Sequence, residues 1–152
     1  MKLLDTIRPH IMRTILLIGM VLMGQLSHAD IAVIANANFE GQLDQESLKM
    51  LYLGKAKHLS NKELLKIKPL NLPFSNAMRS EFDKNALGKT EANLRTYWAR
   101  MIFTSRSRPP RELGDEAAIL KYIKNNDNTI AYIDSKKVPA GFRILLIIKT
   151  RS

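Results

Sequence analysis

The chain has 152 residues, of which 24 are basic and 14 are acidic, and its net charge is +10 at neutral pH. It contains no cysteine, which excludes disulfides and thiol chemistry and leaves packing to stabilise the fold. The length is sufficient for one ordinary domain core but not for two.

The first 29 residues have the organisation of a secretory signal peptide. A basic start is followed by an apolar core at residues 15–23 and by a small–x–small sequence that ends at Ala29. We expect cleavage after Ala29 and export to the periplasm. An uncleaved anchor is the alternative, although the apolar run is shorter than the roughly 20 residues of a membrane span. The chain then divides into a signal peptide at 1–29 and a single mature domain at 30–152 that spans no membrane.

Export changes what the basic charge indicates. In a cytosolic protein this balance would favour a nucleic-acid partner. Outside the cytoplasm it favours small anions, acidic partners or an anionic surface. We therefore expect no nucleic-acid partner, and most of the lysines fit a solvated basic face.

The mature chain begins with a strand and a helix. Residues 31–35 form an apolar, β-branched run that predicts a buried strand. Asp44 has the features of a helix N-cap, and Gly54 suits the end of that helix. Residues 64–70 predict a second strand, and Pro69 restricts it to an edge or to a strand end.

Three helices are predicted next. Ser75 is the expected N-cap of the first, Thr90 of the second, and the third begins near Asp115. The segment 104–110, between the second and third helices, predicts a loop. The second helix has the clearest amphipathic spacing, and we expect Phe103 beyond it to join Trp98 in the core. Its apolar face comprises Leu94, Tyr97, Trp98, Met101 and Ile102.

Two strands, at residues 129–133 and 142–148, complete the order β-α-β-α-α-α-β-β. This order predicts an α/β fold in which helices pack on a mixed sheet of about four strands. Long helical crossovers imply parallel pairs, and the two closing strands could form an antiparallel hairpin.

Catalysis is not supported by the sequence. His58 is the only histidine of the mature chain, and a metal site or an activated nucleophile needs several converging groups. No nucleophile-elbow motif, phosphate-binding glycine loop or metal-ligand spacing is present. We expect neither a metal nor a cofactor.

The best candidate binding site lies where the second strand gives way to a helix. Ligands of open α/β sheets gather at the carboxyl ends of strands, and a helix N-terminus suits an anion. Ser75 supplies a hydroxyl, Asn76 an amide and Arg79 a guanidinium one turn further on. The alternative is that Ser75 merely caps the helix and that Arg79 is a surface residue.

A second candidate is the arginine-rich segment that follows the amphipathic helix. Ser105, Arg106, Arg108 and Arg111 could surround an oxyanion or meet an acidic partner. A solvated loop explains the same composition equally well.

Four stretches of the sequence, taken in order, carry a resemblance to a known family: residues 31–36 with 51–55, 73–82, 97–110 and 129–133. The first pairs a strand ending at Asn36 with a helix that ends in the pattern "(I/L)(F/Y)xGK", and the second is a helix start that contains Ser75. The third has the pattern "YWxxxxFTG…PP" and the fourth that of a closing strand, "IGYV". In this order they resemble the periplasmic phosphate-binding proteins of ABC transporters, particularly their short single-lobe relatives.

This resemblance implies a single lobe of a periplasmic-binding-protein-like fold and an anion site at Asn36, Ser75, Asn76 and Arg79. The leading hypothesis is a non-catalytic binding protein for phosphate or a similar oxyanion, used in ABC-type phosphate uptake or sensing. The alternative is an envelope protein-interaction module that kept the fold and lost the ligand. An envelope transporter or sensor protein is an expected partner, and a second copy could close the open site as a homodimer.

Overall fold

The structure, a computed structural model, describes residues 29–56 and 66–150. The predicted signal peptide before Ala29, and His58, lie outside these residues. The described strands are β1 Ile31–Asn36, β2 Lys68–Asn71, β3 Arg111–Glu112, β4 Thr129–Asp134 and β5 Phe142–Ile148. The helices are α1 Gln45–Tyr52, α2 Ala77–Phe82, α3 Glu91–Phe103 and α4 Glu116–Lys124, and α2 continues as a π-helical turn over Asp83–Leu87.

The strands form one mixed sheet in the order β3-β2-β4-β1-β5. Strands β2, β3 and β4 are parallel to one another, whereas β1 is antiparallel to both of its neighbours, β4 and β5. The α/β prediction is confirmed. The sheet has five strands instead of about four because Arg111–Glu112, after the predicted loop, pairs with Leu70 and Asn71 of β2.

The predicted closing hairpin is wrong, because β1 lies between β4 and β5. Every residue from Ile31 to Ala35 is 0% exposed. A strand that is apolar on both faces needs a neighbour along each edge and cover on each face, so β1 occupies an interior position in the sheet. The closing strands therefore pair with β1 and not with each other.

A buried aromatic cluster fixes the carboxyl end of β2. The rings of Phe82 and Tyr132 stack at 3.8 Å between centroids, and Tyr52 packs against Phe82 at 4.7 Å. Tyr52 donates its hydroxyl to the carbonyl of Leu70 at 3.0 Å, and Tyr132 donates to the side chain of Asn71 at 3.1 Å. Burial raises the pKa of both tyrosines, so they act here as neutral hydrogen-bond donors.

Within residues 29–56 and 66–150, no helix is both long enough and apolar enough to cross a membrane.

Candidate functional site

A cleft of about 500 Å³ lies at the carboxyl edge of the parallel strands, and we call it the carboxyl-edge cleft. Its walls come from the start of α2, the start of α4 and the turn that follows β4. The residues that line it are Asn76, Ala77, Met78, Asp115, Glu116, Ala117 and Lys137. This is the edge at which ligands of open α/β sheets bind.

Asn76, and not Ser75, caps helix α2. The Asn76 side chain accepts a hydrogen bond from the backbone N–H of Met78 at 2.9 Å. The turn before it is closed by a bond from the Asn76 N–H to the Pro73 carbonyl at 2.9 Å. The predicted cap at Ser75 is therefore displaced by one residue, and Ser75 is left exposed.

Arg79 is buried, contrary to the alternative that treats it as a surface residue. Only 2% of it is exposed. Its Nε donates to Asp83 at 2.7 Å and its Nη1 donates to the Leu72 carbonyl at 2.7 Å. Nη1 also lies 3.5 Å from Glu112. Arg79 thus joins the end of β2 to its own helix and to β3.

The guanidinium of Arg79 also stacks on an aromatic ring. Its carbon lies 4.2 Å from the centre of the Phe74 ring, and Arg95 lies 4.5 Å from the centre of the same ring. Such cation–π contacts are strongest where water is excluded. The strand-to-helix turn around Phe74 is therefore held by two arginines.

Asp83 compensates the charge of Arg79 inside the protein. Burial raises the pKa of Asp83 to about 6, and the adjacent Arg79 opposes that rise. One carboxylate oxygen, Oδ1, is buried and has no hydrogen-bond partner among the described residues. The carboxylate is ionised at neutral pH, so that the pair is neutral overall.

Asn36 lies at the opposite edge of the sheet from the other three predicted site residues. Because β1 runs antiparallel to β4, its last residues lie beside the start of β4, where Ala35 pairs with Ile130. The Asn36 side chain donates to the carbonyls of Ile123 at 3.2 Å and Lys124 at 3.0 Å. It therefore covers the carboxyl end of α4. The structure brings together Ser75, Asn76 and Arg79, but not Asn36.

The sequence does not identify the three charged residues that line the cleft, Asp115, Glu116 and Lys137, as site residues. Asp115 caps α4 by accepting from the Ala118 N–H at 2.8 Å. Glu116 lies 3.8 Å from Lys137, whose side chain is 63% exposed. The sequence indicates Asp115 only as the start of a helix. Lys137 belongs to a lysine-rich turn, and nothing in the sequence indicates that this turn borders the start of α2.

The arginine-rich segment forms a separate exposed surface. Arg106 and Arg108 are exposed, and no acidic partner for them occurs in the described part of the chain. Ser105 adopts a left-handed backbone with φ of 51°. Arg111 lies in β3 with its guanidinium 5.2 Å from the centre of the Tyr122 ring.

The two aromatic predictions for this region have opposite outcomes. Trp98 is 6% exposed and belongs to the core, as expected. Phe103 is 91% exposed, so its expected core position is wrong. Phe103 is the last residue of helix α3, whose buried residues, Leu94 and Trp98, lie earlier in the helix.

No group of three or more histidine, cysteine, aspartate or glutamate side chains that could hold a metal ion occurs in residues 29–56 and 66–150.

The fold is similar to solved structures of phosphate-transport proteins. It matches an ABC-type phosphate transport receptor from Vibrio cholerae with a TM-score of 0.57 and 17% identity, over 77% of this chain and 45% of that chain. It matches a structure described as a phosphate ABC transporter substrate-binding protein from Clostridium perfringens, with phosphate bound, at the same TM-score of 0.57. The identity there is 20%, over 77% of this chain and 44% of that chain. No protein-family model and no curated protein matches the sequence.

These similarities confirm the resemblance at the level of the fold. The chain spans less than half the length of either solved protein, so it corresponds to about one half of a phosphate-binding protein. Both neighbours are described as transport or binding proteins and not as enzymes. At this level of identity the likeness establishes architecture alone.

Proposed function

We propose that the protein is a non-catalytic, exported binding lobe that recognises phosphate or a similar oxyanion in the carboxyl-edge cleft. The observation that carries the proposal is the convergence of two helix N-termini and Lys137 around about 500 Å³. The N–H groups of Met78 and Ala118 already donate to the caps Asn76 and Asp115, and the positive end of each helix still favours negative charge. The neighbour from Clostridium perfringens, which has phosphate bound, supports the same ligand class.

Each predicted ligand residue has a distinct role in this proposal. Ser75 offers its exposed hydroxyl, and Asn76 orders the first turn of α2. Lys137 supplies the cationic contact. Arg79 holds the turn in place from beneath, because it is buried and its Nε and Nη1 donate to Asp83 and to the Leu72 carbonyl. Asn36 lies at the far edge and has no part in binding the anion.

The two carboxylates in the cleft, Asp115 and Glu116, select the protonation state of the ligand. An ionised carboxylate can accept hydrogen bonds but cannot donate them. Hydrogenphosphate still carries a proton that it can donate to such an acceptor. Sulfate carries no proton at neutral pH, so these two carboxylates would only repel it. The cleft should therefore prefer phosphate to sulfate.

The affinity should be modest, because the cleft is open on one side. Association costs an estimated 4–15 kcal/mol, and good pockets bury about 70–90% of a ligand. A lone lobe should therefore bind phosphate near the millimolar range. Tighter binding needs a second copy or an envelope transporter or sensor that closes the site, which suits a role in phosphate uptake or sensing.

Thermal unfolding of the purified protein in increasing phosphate or sulfate tests the proposal. A ligand that binds only the folded state raises the melting temperature as its concentration rises above Kd. We expect phosphate to raise it and sulfate, at equal ionic strength, to raise it less. Equal shifts with both anions would indicate a general salt effect and would contradict the proposal.

A second candidate function is a protein-interaction module without a small ligand. The burial of Arg79 against Asp83 favours it, because the arginine predicted to bind the anion is already neutralised within the protein. Under this candidate, neither anion shifts the melting temperature beyond the salt effect.

A further inference from the structure

Two exposed apolar side chains lie beside the arginine-rich segment. Phe103 is 91% exposed and Ile102 is 53% exposed at the end of α3. A cleft of about 540 Å³ adjoins these side chains and is lined by Ile102, Arg108, Pro109, Pro110, Arg111 and Glu112. We call Ile102, Phe103, Arg106 and this cleft the arginine–phenylalanine surface. Exposed aromatic residues next to arginines are the composition found at the centres of protein interfaces.

The backbone of this surface is fixed on both sides of Ser105. The N–H of Ser105 donates to the Ile102 carbonyl at 2.9 Å, and the N–H of Arg106 donates to the Met101 carbonyl at 3.0 Å. The Thr104 hydroxyl donates to the Arg100 carbonyl at 2.9 Å. A segment held in this way loses little conformational entropy when a partner binds.

The following residue, Ser107, packs against Gly54, which comes just after α1. A Cβ added at Gly54 would overlap the Ser107 side chain and would lie 3.2 Å from Trp98. Beyond the prolines, Arg111 pairs with Leu70 in the sheet. The segment is therefore anchored at both of its ends, unlike the solvated loop that its composition also allows.

We propose that the arginine–phenylalanine surface docks an acidic polypeptide that inserts an apolar side chain into the cleft. Arg106 and Arg108 are exposed and have no acidic partner in the described ranges, so both are available to the carboxylates of a partner. Glu112 faces Arg79 at 3.5 Å. A positive rim around an apolar centre complements carboxylates that flank an apolar anchor.

The concave shape favours a polypeptide over an anionic membrane. A bilayer surface meets protruding residues, whereas a cleft with proline walls next to a protruding ring can receive a single side chain. The proposal is independent of the anion site, because none of these residues lines the carboxyl-edge cleft.

Fluorescence anisotropy with a defined peptide tests this inference. The probe is a labelled peptide in which glutamates flank a central leucine, and its control replaces the leucine with glycine. We expect the purified protein to bind the leucine peptide and Phe103→Ser to weaken that binding about tenfold. Phe103 is almost fully exposed, so this substitution removes no core contact.

Charge variants distinguish peptide binding at this surface from a general effect of the protein's positive charge. Arg106→Glu with Arg108→Glu should weaken binding at least about tenfold, and Lys68→Glu with Lys84→Glu, an equal charge change at exposed residues elsewhere, should alter it less than about threefold. Equal losses in the two double variants, or equal binding of the leucine and glycine peptides, would overturn the proposal. Binding to phosphatidylglycerol vesicles that depends on Phe103, without peptide binding, would overturn it in favour of a membrane.

Discussion

The guanidinium Nε of Arg79 lies 2.7 Å from Oδ2 of Asp83, one helical turn further on, and both side chains are almost completely buried. The same arginine donates to the carbonyl of Leu72 at the end of β2. This pair therefore fixes the angle at which α2 leaves the sheet, and with it one wall of the carboxyl-edge cleft.

Removing one member of the pair should strongly destabilise the protein. Arg79→Ala leaves a buried carboxylate without its counter-charge, and such losses cost about 3–5 kcal/mol. Urea unfolding measures the effect. Lys149→Ala, which breaks the exposed pair with Asp30, is the matched control and should cost at most about 1 kcal/mol. A loss in Arg79→Ala as small as that of the control would contradict the structural role of Arg79.

Stability should depend on the protonation of Asp83. Burial raises the pKa of Asp83 from its usual 3.8 in the unfolded chain to about 6 in the folded protein, and Arg79 opposes the rise. Between these values the folded state binds more protons, so this group's contribution to stability falls as pH rises from about 4 to about 6.

The expected size of this loss is on the order of 2–3 kcal/mol. Urea unfolding of the protein and of Asp83→Asn across this pH range isolates it, because other carboxylates titrate in both proteins. We expect the unfolding free energy of the protein, relative to that of Asp83→Asn, to fall as pH rises from about 4 to about 6. A pH-independent difference would contradict the assignment.

Asn36 should contribute to the stability of the protein and not to anion binding. Its amide donates to the last carbonyls of α4, so Asn36→Ala should cost about 1–2 kcal/mol of unfolding free energy. Phosphate binding, measured by titration calorimetry, should be unchanged. A loss of phosphate affinity in a variant that remains folded would restore Asn36 to the anion site.

Gly54 should tolerate alanine less well than Gly88. Both have φ of +65°, but only Gly54 has a neighbour in the way, because a Cβ there would overlap Ser107, whereas at Gly88 the nearest atom is 3.9 Å distant. Each substitution places a Cβ on a left-handed backbone, which lowers the unfolding free energy by about 1 kcal/mol. In Gly54→Ala the overlap with Ser107 lowers it further.

Thermal unfolding should therefore show the larger loss for Gly54→Ala, and Ser107→Gly in the same chain should recover part of it. Equal losses at the two glycines would mean that Ser107 does not pack against Gly54.

Much of the fold could be predicted because its elements have strong local signals. The apolar run in β1, the caps at Asp44, Thr90 and Asp115, and the stop at Gly88 all depend on neighbouring residues. The position of β1 in the sheet could not be predicted in this way. Its neighbours β4 and β5 are about a hundred residues away in the sequence, and local patterns do not specify strand order.

The site was predictable only in part for the same reason. Ser75, Asn76 and Arg79 are close in sequence, and one turn of structure keeps them together. The expected place of Asn36 depended on the direction of β1, and the position of Lys137 depended on how the turn after β4 meets α2. The partner of Arg79 lies one turn ahead at Asp83, but its burial becomes apparent only when β2, β3 and α2 are assembled.

Isothermal titration of phosphate into the purified protein, Lys137→Gln and Lys136→Gln tests the central claim most directly. Lys137 lines the carboxyl-edge cleft, whereas the adjacent exposed Lys136 does not. We predict phosphate binding near the millimolar range that weakens about tenfold in Lys137→Gln and is retained in Lys136→Gln. Absence of heat at about ten millimolar phosphate, or equal losses in the two variants, would contradict an anion site in this cleft.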